Sequence, residues 1–367
     1  MRTMRVAVLL SVVLVAAGCG QADQPSAPTP STPPTSVSGP ATTSSPSATA
    51  AAPSGIVIQT CLHGNGRKLQ FVDPTTKTAT TRVFVTGNYT PTVACTPIAR
   101  GRDEQRSSYN QDFTLLAAQK KLPNGGLHTG VISVADNEQD TSDRFKDLSG
   151  ADDSGFGADA QQSVGAFNPK DGQLYFVAKN SDQSKHLLTI NPAGGTPQEI
   201  QAPAEVKQVS VDANSYPANF GVYFSPGYDA PLFKFDSYQI TAKDGSSAFW
   251  DAGNGIAYGK PGTTGTLMQG APEPWIYLDP THYIGVDHSK LLRVTASGSA
   301  AQVTSLLPET DGNIKSPVLS PDGKTIAFIL EKPAARVLYT VPAGGGTPVK
   351  VMDLDQTVTT LGIVDWR

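Results

Sequence analysis

The chain has 367 residues, 16% of them charged, with a formal net charge of −4. No basic stripe interrupts this mildly acidic balance, which argues against a nucleic-acid partner. Neither a His nor another Cys stands at ligand spacing from Cys61 or Cys95, so no zinc site is expected there.

The N-terminus, "MRTMRVAVLLSVVLVAAGCG", has two arginines, an apolar run from Val6 to Ala17 interrupted only by Ser11, and small residues before Cys19. That order is the signature of an export signal, and the apolar run is short for a permanent membrane span. The Ala-Ala-Gly-Cys ending resembles the lipobox of bacterial lipoproteins, with Ala16 where Leu is preferred. Residues 1–19 are therefore expected to be a lipoprotein signal whose Cys19 is acylated (palmitate being one of the chains). An ordinary signal peptide with an incidental Cys is the alternative.

Residues 20–54 are almost entirely Pro, Ser, Thr and Ala, with one charge at Asp23. Such a segment has too little apolar bulk to offset the entropy of ordering it and is expected to be a disordered linker. As a coil it would reach roughly 30 Å, and about 100 Å in polyproline geometry. Without the signal and linker, 26 basic residues face 31 acidic ones. Export also favours a disulfide between Cys61 and Cys95, closing a loop of about 35 residues.

From residue 55 to 367 the chain reads as short runs of Val, Ile, Tyr, Phe and Thr broken by Gly, Pro, Asn and Asp, the pattern of an all-β fold without helices. One stretch is written twice. "NPKDGQLYFVAK" leads to "HLLTINPAGGTPQEI", and "SPDGKTIAFILE" leads to "VLYTVPAGGGTPVKV". Each unit supplies four strands: one before the turn, one after it, one ending near Pro-Ala-Gly-Gly, and one after Thr-Pro. Ser320-Pro321-Asp322-Gly323 suits a type I turn at every position. A fainter copy runs from Trp275 to Val303.

A recurring four-stranded unit is the mark of a β-propeller blade, which cannot bury its own faces and must ring an axis with others. The first unit lacks one strand, and the last residues supply a lone one. Thr357 to Trp366 is therefore expected to complete the first blade and remove both exposed edges. Six blades are expected, starting near Ile56, Thr92, Gln162, Val206, Glu273 and Lys315. Seven is the alternative, because the stretch from Val206 to about Gly270 could hold an extra blade.

"LSPDGKTIAFI" followed by "LYTVPAGGGTPVKV" resembles the repeat of TolB-like β-propellers, which also occurs in prolyl oligopeptidase-type enzymes. The resemblance implies a bacterial lipoprotein with a TolB-like propeller. TolB carries an additional α/β domain where this chain has its linker, so the TolB partnership is not carried over. The oligopeptidases need a separate hydrolase domain, for which there is no room.

Chemistry is sparse in the linear sequence. No Gly-x-Ser-x-Gly, HExxH or CxxC occurs, and the five histidines are scattered. His282, Asp287 and His288 form the nearest local group and read as solvent-facing turns. Asp136, Glu138, Asp140 and Asp147 follow calcium-loop spacing, with Thr141 where Gly belongs; a solvated loop is the plainer reading. Phe249, Trp250 and Tyr258, near a Gly-rich turn, offer either a sugar- or peptide-binding platform or packing between blades. No cofactor is expected. The chain is expected to be a monomer, anchored by lipid to the outer face of the cell membrane, binding an envelope protein or a glycan. A ligand site in the axial funnel and an enzyme assembled across blades remain alternatives.

Overall fold

The computed structural model describes residues 54–62, 66–86, 90–91, 102–123, 125–134, 144–150, 161–201, 207, 211, 222–224, 231–233, 239–356 and 360–367. The chain divides between Ala50 and Ala51, and every described residue belongs to the second unit. No helix among the described residues is long and apolar enough to cross a membrane.

The described residues form six antiparallel or nearly antiparallel sheets, four of them four-stranded. The first holds β1 (Ile56–Cys61), β2 (Gly66–Val72) and β3 (Ala79–Val85). The second begins with β4 (Thr90–Pro91), followed by helix α1 (Arg102–Ser107), β5 (Leu115–Lys121), β6 (Leu127–Ser133) and β7 (Phe145–Asp147). It continues through β8 (Gln161–Gln162), β9 (Ala166–Phe167), β10 (Leu174–Lys179), β11 (Lys185–Ile190) and β12 (Gln198–Ile200). Its two halves meet at one parallel register pair, Leu127 with Gln161. A two-stranded sheet follows, β13 (Val222–Tyr223) with β14 (Leu232–Phe233).

Three regular sheets complete the chain. One holds β15 (Gln239–Thr241), β16 (Ala248–Asp251), β17 (Ile256–Gly259) and β18 (Thr266–Met268). The next holds β19 (Glu273–Asp279), β20 (His282–Asp287), β21 (Lys290–Ser297) and β22 (Ala300–Ser305). The last holds β23 (Asn313–Leu319), β24 (Thr325–Lys332), β25 (Ala335–Pro342) and β26 (Val349–Leu354). The final strand, β27 (Thr360–Trp366), returns to pair with β1, Ile58 standing opposite Ile363. The ends lock further through Gly55 N–H to Arg367 O at 2.8 Å and Arg367 N–H to Gly55 O at 3.1 Å.

The central strands of the first and last sheets are apolar on both faces because both of their faces are covered. Ile56 and Ile58 of β1 pack with Val351 and Ile363, against the last sheet, while Val57 between them packs with Phe113 and Leu116 of the next. Likewise Ala327 and Ile329 of β24 face the first sheet, and Ile326, Phe328 and Leu330 face β19–β22. Further cores join β5–β6 to β10–β11, β10–β11 to β13, and β15–β18 to β19–β22. The arrangement is propeller-like: on either side of the junction between β13–β14 and β15–β18, neighbouring sheets pack face to face, and the last packs on the first.

The repeated turn follows its expected chemistry. Gly323 N–H donates to Ser320 O at 2.9 Å, Ser320 Oγ donates to Asp322 Oδ1 at 2.6 Å, and Gly323 takes φ 72°. The earlier copy is one residue longer, with Gly172 N–H donating to Asn168 O at 3.0 Å.

The stretch from Val206 to Gly270, expected to be one blade with an extra blade as the alternative, holds the separate sheets β13–β14 and β15–β18. A turn of the repeated kind lies within it in "AKDGSS", where Gly245 N–H donates to Ala242 O and Ser246 N–H to Asp244 Oδ1. The stretch "GRDEQRSSYNQD", expected to lack helix, contains α1.

Candidate functional site

Helix α1 touches β9, β13 and β27, which belong to three different sheets, so it sits where their flanking strands converge. Short as it is, its environment is specific. Gln59 Nε2 donates to Gln105 Oε1 at 2.7 Å, and Tyr109 Oη donates to Gln59 Oε1 at the same distance. Arg67, 1% exposed, donates to the Tyr109 hydroxyl at 3.2 Å. Burial pushes the Tyr109 phenol up, with Arg67 opposing, so the phenol stays a neutral donor. Arg106 donates to Asp365 Oδ2 at 2.6 Å and lies 4.6 Å over the Phe113 ring. No linear motif reveals this network, because its members lie far apart in the chain.

The aromatic residues singled out in the sequence pack inside the sheets. Phe249 is fully buried, its ring centroid 4.7 Å from Tyr283 and 5.9 Å from a stacked Tyr258. Trp250 is half-buried and covers Gly265, where a Cβ would lie 2.4 Å from the indole. Phe249 therefore presents no platform face to a ligand.

Of the acidic residues at calcium-loop spacing, Asp136, Glu138 and Asp140 lie outside the described residues. Asp147 is engaged by protein groups: His128 Nδ1 stands 2.7 Å from Oδ2, and Ser149 N–H donates to Oδ1 at 2.8 Å. Burial raises the Asp147 carboxyl, but hydrogen bonds from Ser149 and His128 outweigh it and hold the group below its ordinary value. No group of three metal-ligating side chains occurs among the described residues. His282 pairs with Asp279 at 2.8 Å rather than with Asp287, and His288 is an exposed turn residue beside Asp287. Cys19 and Cys95 lie outside the described residues, while Cys61, ending β1, is disulfide-bonded.

Among the described residues, a concave feature lies beside the loop that joins the last two regular sheets. It is a cleft of about 340 Å³ lined by Pro308, Glu309, Thr310, Asp311, Phe328, Leu330, Tyr339 and Pro348. Half-buried Tyr339 lines it, stacked at 5.8 Å and 18° on Phe328, which is itself only 1% exposed. The rim is tied down: the single Thr310 hydroxyl proton is shared between Ser289 O and Gly312 O, each 3.0 Å from Oγ1, and Lys332 Nζ pairs with Asp311 at 2.5 Å. That lysine holds the Asp311 carboxyl below its ordinary value. Across the cleft, Gly346 N–H donates to Leu306 O at 2.8 Å, joining the β25–β26 turn to the segment after β22. Neighbouring Val349 is 57% exposed, unusual for so apolar a residue on this surface.

No family model matches the chain, and no curated protein does. Among solved structures, it is similar to TolB-like β-propellers in fold. TolB from Acinetobacter baumannii shares 12% identity over 84% of this chain and 64% of its own, with a TM-score of 0.36. A candidate TolB from Agrobacterium tumefaciens shares 14% over 82% of this chain and 89% of its own, at TM-score 0.32. A candidate 6-phosphogluconolactonase from Bacteroides uniformis shares 12% over 82% of each chain, at TM-score 0.30. The chain spans less than two thirds of the Acinetobacter protein. Likeness at this level carries no activity or partner to this chain.

Proposed function

We propose that this chain is an extracytoplasmic, lipid-anchored β-propeller that works without catalysis, as a binding module for another protein of the cell envelope. The observation that carries the reading is the cleft beside the loop that joins the last two sheets. Its floor is apolar and preformed, and its Thr310 and Asp311 side chains are spent on holding the loop. Such a surface is suited to recognition with little ordering cost. Helix α1 touches strands of three sheets, which would crowd a central funnel and favours an outer site.

A closed ring of seven units, rather than the six expected from the sequence, accounts best for the sheets. It takes the nine-stranded sheet as two blades joined at Leu127 and Gln161. The packing of the last sheet on the first and the β27–β1 pairing support closure. Residues 1–19 act as the lipoprotein signal, Cys19 carries the lipid, residues 20–54 form the tether, and the domain is monomeric. Cys61 pairs with Cys95.

The test is crosslinking and capture from intact cells with the full chain, compared with Cys19→Ala. Repeated recovery of one envelope protein, dependent on the anchor, is expected. Recovery of no protein partner by the anchored form would overturn the reading.

A further inference from the structure

We infer that the cleft beside the loop joining the last two sheets takes a peptide segment of the partner that presents an apolar side chain next to Lys or Arg. The inference rests on the binding-module reading and names the chemistry of its contact. Two features argue for this occupant. The first is the floor: half-buried Tyr339, flanked by Pro308 and Pro348 and backed by the buried Phe328 and Leu330, offers an apolar face that an apolar side chain covers well. The Tyr339 hydroxyl makes no hydrogen bond among the described residues, leaving it open to a backbone group of the peptide.

The second feature is charge. Asp311 is already matched by Lys332, but Glu309 on the same rim forms no ion pair among the described residues. Glu309 is exposed and hydrated, so a neutral ligand gains nothing from it and an acidic one is repelled, whereas a basic residue beside the anchor pairs with it. The geometry is preset, because Pro308 and Pro348 stiffen the two walls and the Gly346–Leu306 hydrogen bond joins them. Little conformational freedom is lost on binding, which is the condition for a short segment to bind specifically.

The experiment uses the full chain in detergent micelles and three capped dipeptides: acetyl-Phe-Arg-amide, acetyl-Phe-Gln-amide and acetyl-Phe-Glu-amide. Calorimetry supplies affinities, and saturation-transfer NMR locates the contact. The Arg peptide is expected to bind about fivefold tighter than the Gln peptide, with the Glu peptide weakest. Glu309→Gln should bring the Arg and Gln peptides to equal affinity, and Glu309→Arg should reverse the order. Equal affinity for the Arg and Glu peptides, absence of binding by all three, or an Arg preference that survives Glu309→Gln would overturn the inference. Capture from cells with Glu309→Arg separates the two levels. A partner still recovered by that variant means the module binds elsewhere, whereas no partner with the unaltered chain removes the module reading itself.

Discussion

Arg106 and Asp365 are 259 residues apart in sequence, yet the guanidinium Nε lies 2.6 Å from the carboxylate Oδ2. Both side chains are largely shielded, at 16% and 20% exposure. The pair ties α1, an insertion within the second sheet, to the strand that completes the first. Arg106 also donates to the carbonyl oxygens of Tyr109 and Asn110, so one side chain anchors both the helix exit and the closing strand.

Arg106→Ala should therefore destabilise the domain by about 2 kcal/mol, because it strands a shielded carboxylate and two carbonyls. Adding Asp365→Asn should recover part of the loss, with a coupling of about 1 kcal/mol in a double-mutant cycle read by urea unfolding. Strict additivity of the two changes would show that the pair contributes nothing.

The closing strand can be tested through its core residue. Ile363 is fully buried, packed with Ile56 and Ile58, whereas Val303 on β22 is 48% exposed. Ile363→Ala should cost about 3 kcal/mol and Val303→Ala less than about 0.5 kcal/mol. Equal small effects on the unfolding midpoint would mean that β27 is not part of the cooperative core.

Two glycines with similar backbone angles should respond differently. Gly323 has φ 72° and open space where a methyl would be added, so Gly323→Ala should cost about 1 kcal/mol from the left-handed conformation alone. Gly265 has φ 62°, but a Cβ there meets the Trp250 ring at 2.4 Å and the Tyr258 carbonyl oxygen at 2.9 Å. Gly265→Ala should cost more and shift tryptophan fluorescence, which Gly323→Ala should leave unchanged.

Asp147 predicts a specific acid response. Its folded-state carboxyl lies below the ordinary value of 3.8, so it contributes stability above that pH and loses it as pH falls toward the folded value. Below about pH 4, the unaltered protein should lose stability more steeply than Asp147→Asn. Parallel pH profiles for the two proteins would show that the Ser149 and His128 contacts do not favour the ionised form.

The cysteine pairing has a direct readout. Alkylation and intact-mass analysis of the exported protein should detect no free thiol at Cys61 or Cys95. On the chain-entropy model, closing a loop of this length stabilises the fold by about 4 kcal/mol, which reduction should remove. Two alkylatable thiols would rule the pairing out.

The all-β character, the repeated hairpins and the return of the last strand are legible in the sequence because they depend on local chemistry. Ser320, Pro321, Asp322 and Gly323 make their turn from their own side chains and dihedrals, and a lone terminal strand must find an edge. Asp244-Gly245 carries the same signal in weaker form, lacking the proline, and so does not by itself mark β15–β18 as a separate sheet. Other features depend on which distant residues meet. Phe249 could be platform or core until Tyr258 and Tyr283 enclose it. The cleft brings Glu309 to the edge of a floor made by Tyr339 over buried Phe328, residues of different strands with no shared motif. Turn geometry is a short-range property and can be read along the chain; burial, apolar surface and an unmatched charge are properties of neighbours, which tertiary packing alone supplies.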